Sequence, residues 1–283
     1  MRRTRWLLIP GMLVLAACGS SPVVTGTAPE RPYDGPMSVT VQHTDEATVA
    51  QRSGAAGRAL ECEGRSYDGG SGDYDSGLES TQGSAQGALE DFFEQEPLAA
   101  APTTGYRVER EDGGRVLFSY DVAGRTKVAI IAADHVRDFQ HRTGWGVETW
   151  AQCDPAELPA AVTDHLGLQV WTDDAGRRAP IGRIRSFQGA EHCDWQDIVF
   201  LVLAGRAGER HYVRDVSGRL GDVLATTYAA GVAVPPSATD TGFTRDGTRL
   251  WLAHDRTAAY LVRGGDVSRA ERWPAMTEQV GCG

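Results

Sequence analysis

Apolar residues recur along this chain with two different periods, and the change from one to the other marks out its elements. After Ser84, a good N-cap, Ala85, Ala88, Leu89, Phe92 and Phe93 fall at spacings of three and four, while Glu90, Asp91 and Glu94 take the other side. This pattern predicts a helix that Pro97 stops. Downstream the period drops to that of strands. Tyr106 to Glu111, Arg115 to Val122 and Lys127 to Ala132 are three such runs, joined by Asp112-Gly113-Gly114 and Ala123-Gly124. Gaps of that length and composition make an antiparallel meander. Trp145 to Cys153 reads as a fourth run. Ala59 to Cys62 reads as a short strand, followed by a loop through Asp68, Asp73 and Asp75 to Gly77. One helix on a curved antiparallel sheet is the natural solution, a cystatin-like shape.

From Leu166 onward the helical period does not return. Leu168 to Thr172, Ile198 to Ala204, Arg210 to Asp215, Leu220 to Tyr228, Arg249 to His254 and Ala258 to Val262 read as strands. Turn signals separate them at the spacing of a mainly β unit. Asp240-Thr241-Gly242-Phe243 reads as a turn. The fold class is therefore α+β and mainly antiparallel β. A helix-on-sheet, cystatin-like half over residues 55–159 precedes a mainly β half over residues 160–283.

The first eighteen residues follow neither pattern. Arg2, Arg3 and Arg5 precede an apolar run from Trp6 to Leu15, closed by Ala16-Ala17-Cys18. This is a secretory signal, too short to span a bilayer as a lasting helix. Leu15-Ala16-Ala17-Cys18 resembles the lipobox of bacterial lipoproteins, in which diacylglycerol is attached to the cysteine sulfur and the chain is cut just before it. The resemblance implies a lipid-anchored protein with Cys18 as its modified residue. Residues 19–54, rich in Ser, Pro, Thr and Gly at the start, read as a flexible tether with a possible first strand from Ser38 to Ala50.

Charge narrows the partners. The formal net charge is −10, and it falls by three more when the signal's arginines leave. Such a body is repelled by nucleic acid and by anionic headgroups, so it should stand off from the membrane that its lipid enters. Hydrophobic residues make up 41% and there are seven tryptophans, a composition that folds. Besides Cys18 there are four cysteines: Cys62, Cys153, Cys193 and Cys282. Outside the reducing cytosol an even count reads as disulfides, with three pairings open. Cys62 with Cys153 and Cys193 with Cys282 is the expected choice, each pair bracketing one half. A four-cysteine metal site lacks any CxxC spacing.

The chemistry is mostly exclusion. The chain has no G-x-S-x-G elbow, no H-E-x-x-H helix, no G-x-G-x-x-G and no G-x-x-x-x-G-K-[ST]. Lys127 is the only lysine, and its place inside a strand predicts a solvent-facing side chain. The densest candidate is Glu191-His192-Cys193-Asp194-Trp195, where His192 with Asp194 could supply a general base or a metal ligand. Neighbours in an extended chain point apart, so the plainer reading is a bridged Cys193 framed by polar residues. The acidic loop fails the EF-hand pattern because Leu78 stands where glycine is needed. A solvated loop is the ordinary reading and a loose calcium site on Asp68, Asp73 and Asp75 the alternative. Trp145, Trp150, Trp171, Trp195, Trp251 and Trp273 could stack on sugars, but their strand neighbours point to core packing. Arg177, Arg178, Arg183 and Arg185 form a basic stretch expected to pair with nearby acids.

With Trp150-Ala151-Gln152-Cys153-Asp154-Pro155-Ala156-Glu157, Glu191-His192-Cys193-Asp194-Trp195 and Glu271-Arg272-Trp273-Pro274 added to the lipobox and tether, the chain resembles a secreted lipoprotein family of high-GC Gram-positive, actinobacterial type. That resemblance implies an extracytoplasmic address and brings no catalytic residues. The expected function is a membrane-anchored, non-catalytic module that binds or scaffolds an envelope component or protein partner, with no cofactor and no nucleic acid. The alternative is an envelope hydrolase or metal-assisted enzyme using His192 and Asp194.

Overall fold

The computed structural model describes residues 31–283 except 45, 73–80, 96–97, 99, 206–207, 279 and 282–283. The fold is mainly antiparallel sheet with few helices, as the alternation predicts. Among the described residues no helix is long and apolar enough to cross a membrane.

The first sheet holds β1 (Ser66–Ser71), β2 (Arg107–Asp112), β3 (Arg115–Val122), β4 (Arg125–Arg137) and β5 (Thr143–Cys153), in the order β1-β5-β4-β3-β2. Its β2–β3 turn is two residues long because Gly113 and Gly114 both adopt positive φ, the geometry that matches strand twist. Helix α3 (Ala85–Gln95) starts where Ser84 Oγ accepts the Gly87 N–H at 3.0 Å. Its Ala88, Leu89, Phe92 and Phe93 pack on Phe118, Val128, Ile130 and Val147.

Here the structure departs from expectation. The opposite face of the sheet is also covered: Leu117, Ala129, Ile131 and Ala151 pack against Met37 and against Ala55, Ala56 and Ala59. The last three lie on α2 (Gly54–Ala59), which follows α1 (Val49–Arg52). Packing thus begins near Tyr33, inside the stretch expected to be tether. Thr48 caps α1 with a reciprocal Gln51 contact, so helix stands at the end of the expected first strand. Ala59 ends a helix rather than opening a strand, and Asp68 lies in β1 rather than in a loop.

Double coverage also corrects Lys127. Instead of facing solvent it is 3% exposed, its Nζ donating to Glu157 Oε2 at 2.6 Å and to the Glu61 carbonyl at 2.9 Å. A strand in a sheet buried on both faces has no solvent side, and a lone cation there requires a carboxylate. Beside it, Cys62 and Cys153 form the expected disulfide, with Cα atoms 5.3 Å apart. Cys193 is disulfide-bonded as well, and Cys282 lies outside the described residues.

A short helix, α4 (Ala160–His165), opens the second half. One meander follows: β6 (Leu168–Val170), β7 (Ile184–Gln188), β8 (Val199–Gly205) and β9 (Gly208–Arg214). The other contains β11 (Thr239–Arg245), β12 (Thr248–Leu252), β13 (Ala258–Arg263) and β14 (Ala270–Pro274), with β10 (Ala229–Val232) beside β14. The expected turn at Asp240 is strand β11, and the expected strand over Leu220 to Tyr228 holds a 3-10 turn instead. Two seams join the meanders. Thr172 and Thr244 exchange both backbone hydrogen bonds at 2.8 and 2.9 Å, and the Met276 N–H reaches the His211 carbonyl beside the Tyr212–Ala275 bridge. Eight strands therefore wrap one interior, where Ile184, Leu201, Tyr212, Phe243, Leu250 and Trp273 meet.

Candidate functional site

Eight strands enclose a space that side chains can just fill or that holds one small ligand. Here one end is filled and the other is open, as a cavity of about 520 Å³, within the range of small-ligand sites. Every wall strand lines it. Gln169 comes from β6, Ser186 from β7, Val199 from β8, Arg214 from β9, Arg245 from β11, Thr248 from β12, Leu261 and Arg263 from β13, and Glu271 and Trp273 from β14. Trp171 follows β6, and Asp246 and Arg269 come from turns.

Register sets the layering. Arg245 lies opposite Thr248 and Thr248 opposite Arg263, a single rung at the rim. The Asp246-Gly247 turn that makes this rung has positive φ at both residues. One rung deeper Leu250, Leu261 and Glu271 are neighbours, and below them Leu252, Ala259 and Trp273. The floor is therefore apolar and the rim charged.

The polar groups divide into committed and uncommitted ones. Trp171, 2% exposed, donates its indole N–H to Ser186 Oγ at 3.1 Å. Ser186 donates in turn to Gln169 Oε1 at 2.8 Å, and the same oxygen accepts Arg245 Nη1 at 2.8 Å. Arg245 also meets Asp246 at 3.0 Å. Trp273 donates to Glu271 Oε2 at 2.9 Å, which also accepts from Arg214 Nε at 3.2 Å. The Arg214 guanidinium stands 5.7 Å from the Tyr228 ring centre. Below, burial pushes the Tyr212 hydroxyl above its ordinary pKa, so it remains a neutral phenol. Arg263 and Arg269 are exposed and form no ion pair among the described residues.

Four arginines thus face two carboxylates around one opening, in a chain whose net charge is −10. Among the described residues no histidine or cysteine lines it. Guanidinium does not give up its proton, so the four arginines supply charge and shape rather than a proton shuttle.

The residues singled out from sequence lie elsewhere. His192 is exposed in the 3-10 turn Glu191–Cys193, and no hydrogen bond or ion pair reaches its ring among the described residues. Asp194, in the left-handed conformation at the end of that turn, is exposed and contributes its carbonyl to Arg219. No hydrogen bond or ion pair joins the two side chains among the described residues. Asp68 pairs with Arg52 at 3.7 Å, and Asp73 and Asp75 lie outside the described residues. The one described group with metal-like spacing is Cys62, Cys153 and Glu157, whose two sulfurs are joined to each other. Two of the four arginines at 177–185 pair with acids as expected, Arg177 with Asp173 and Arg185 with Glu209, while Arg178 donates to Thr163 Oγ1. Arg183 instead lies 4.9 Å from the Phe243 ring centre.

A larger cavity, about 1000 Å³, separates the halves. Three of its four acids are engaged internally: Glu157 by Lys127, Asp173 by Arg177, and Asp154 by the N–H groups of Ala156 and Ile181. Arg65, Arg178 and Arg183 also line it, and none of the three forms an ion pair among the described residues.

Sequence reasoning missed the rim arginines, although a signal exists. Arg214 follows Tyr212, Arg245 follows Phe243 and Arg263 follows Leu261, each two residues on and hence on the same, interior face of its strand. An arginine continuing an apolar alternation is the mark. Comparison with known proteins finds no matching family, no matching curated protein and no matching solved structure.

Proposed function

We propose that this chain is a lipid-anchored, extracytoplasmic binding protein of the cell envelope, without catalysis, whose ligand enters the mouth of the second-half barrel. One observation carries the binding part: all eight wall strands converge on an open cavity with a tryptophan floor and an arginine rim. The signal and lipobox carry the anchoring part, with Cys18 as the lipidated residue. On this reading the first half, a cystatin-like helix-on-sheet unit in shape, is a spacer and support that holds the mouth away from the bilayer. The acidic surface keeps the body off anionic headgroups and excludes nucleic acid as a partner.

Native mass spectrometry of the full chain extracted from its host membrane tests both parts. The expected spectrum shows the mass of a diacylglyceryl group, lost in Cys18→Ala. It also shows a non-covalent small molecule, lost when Leu261→Trp fills the cavity. A chain carrying neither mass ends the proposal.

A further inference from the structure

We infer that the barrel mouth recognises an organic anion, a small molecule with an acidic head on an apolar or aromatic body, bound body-first. This rests on the mouth being a ligand site and adds the ligand's chemistry. Three observations converge. Arg263 stands at the rim without a carboxylate partner among the described residues and Arg269 interacts only with the exposed Asp266, beyond ion-pair distance, while Arg214 and Arg245 are held by Glu271, Gln169 and Asp246. Arg245 and Arg263 share one rung on either side of Thr248, so an anion seated over Thr248 meets guanidinium groups from both neighbouring strands. Both floor indoles have their N–H groups engaged within the protein, so Trp171, Trp273, Val199 and Leu261 offer a ligand apolar surface and no donors. A polyol would find little to bond there; an aryl or alkyl body loses water and fits. The acidic exterior turns away polyanions, so the anion that enters is small.

The test is isothermal titration calorimetry on the full chain at low salt with three probes: 1-naphthoate, its uncharged analogue 1-naphthamide, and inorganic phosphate. The expected order has naphthoate binding about tenfold or more tighter than naphthamide, with phosphate alone weakest. Arg263→Gln or Arg269→Gln, both at exposed positions, should weaken naphthoate by about tenfold and leave naphthamide unchanged. Added salt should narrow the gap between the two aryl probes. Equal affinities for naphthoate and naphthamide, unaltered by either substitution, would overturn the anion class while leaving the cavity as a binding site. Phosphate binding as tightly as naphthoate would overturn the apolar body. Binding of neither aryl probe would remove the cavity reading and the ligand class together.

Discussion

Both halves are built from antiparallel strands joined by short turns, yet one closes over a solid core and the other round an opening. In the first, α3 covers one face of the sheet, and α1, α2 and the segment from Tyr33 cover the other. Its central strand is accordingly apolar without alternation from Val128 to Ala133. Charges inside are neutralised where they stand: Lys127 by Glu157, and Arg107 by Asp121 at 2.5 Å, whose other oxygen accepts from Thr126 at 3.1 Å. In the second half, where α4 is the only α-helix among the described residues, the sheets cover each other and close through two seams. A wall that closes on itself has ends, and an end can stay open. Coverage by helices yields a filled interior; closure by strands yields an open end.

That contrast breaks if damage to the support also removes the mouth's chemistry. The largest effect should come from replacing Cys62 and Cys153 together by serine. They are 91 residues apart in sequence, and a loop of that length is expected to contribute about 4 to 5 kcal/mol in the chain-entropy account. Urea unfolding reads the loss, and naphthoate titration below the transition should be unchanged. A parallel loss of affinity would show that the halves are one functional unit.

Next comes Lys127→Met, which leaves the part-buried Glu157 without its cation and should cost about 3 kcal/mol. Adding Glu157→Leu should restore most of it, because an apolar pair of similar volume replaces the ionic one. A double variant no better than the single one would show that the Glu63 and Gly64 N–H groups, which also donate to Glu157, depend on the carboxylate more than Lys127 does.

A smaller effect sharpens the comparison through pH. Burial pushes Glu157 upward, but the Lys127 bond and the Glu63 and Gly64 N–H groups outweigh it, leaving its pKa below the ordinary 4.5. In the second half, burial at Asp215 is likewise outweighed by the Leu220 N–H, the Ser217 hydroxyl and the N–H groups of Arg219 and Gly218, leaving it below 3.8. A depressed folded pKa means stability that is complete above the unfolded value and lost as pH falls through the folded one. Glu157 should therefore begin to weaken the fold below pH 4.5 and Asp215 below 3.8. Unfolding midpoints across that range should flatten partly in Glu157→Gln and partly in Asp215→Asn. A slope unchanged in both would place acid sensitivity elsewhere.

The smallest effect is expected at the rim. Arg263→Gln should shift stability by no more than about 0.5 kcal/mol, since the side chain is exposed and unpaired among the described residues. Thermal unfolding checks it. A large loss would make Arg263 part of the wall rather than a reader of ligands.

Local chemistry was readable from the chain alone. Ser84 and the apolar spacing behind it specify α3, the Gly113-Gly114 pair specifies a two-residue turn, and the cysteine parity specifies disulfides, of which Cys62–Cys153 is formed as expected among three open pairings. Each depends on groups within a few residues or on a simple count. Lys127 was misread because burial depends on what covers a strand, and its cover comes from residues 33–65 and from Glu157, distant in sequence. The rim arginines escaped for a related reason. Period two fixes which side chains share a face of one strand but not which strand lies opposite. The seams that make eight strands enclose one space join Thr172 to Thr244 and Tyr212 to Ala275. Such long-range pairing is selected by burying the whole interior at once, a free energy that no single segment contains. Tertiary closure alone decided that the arginines of four separate segments face one another.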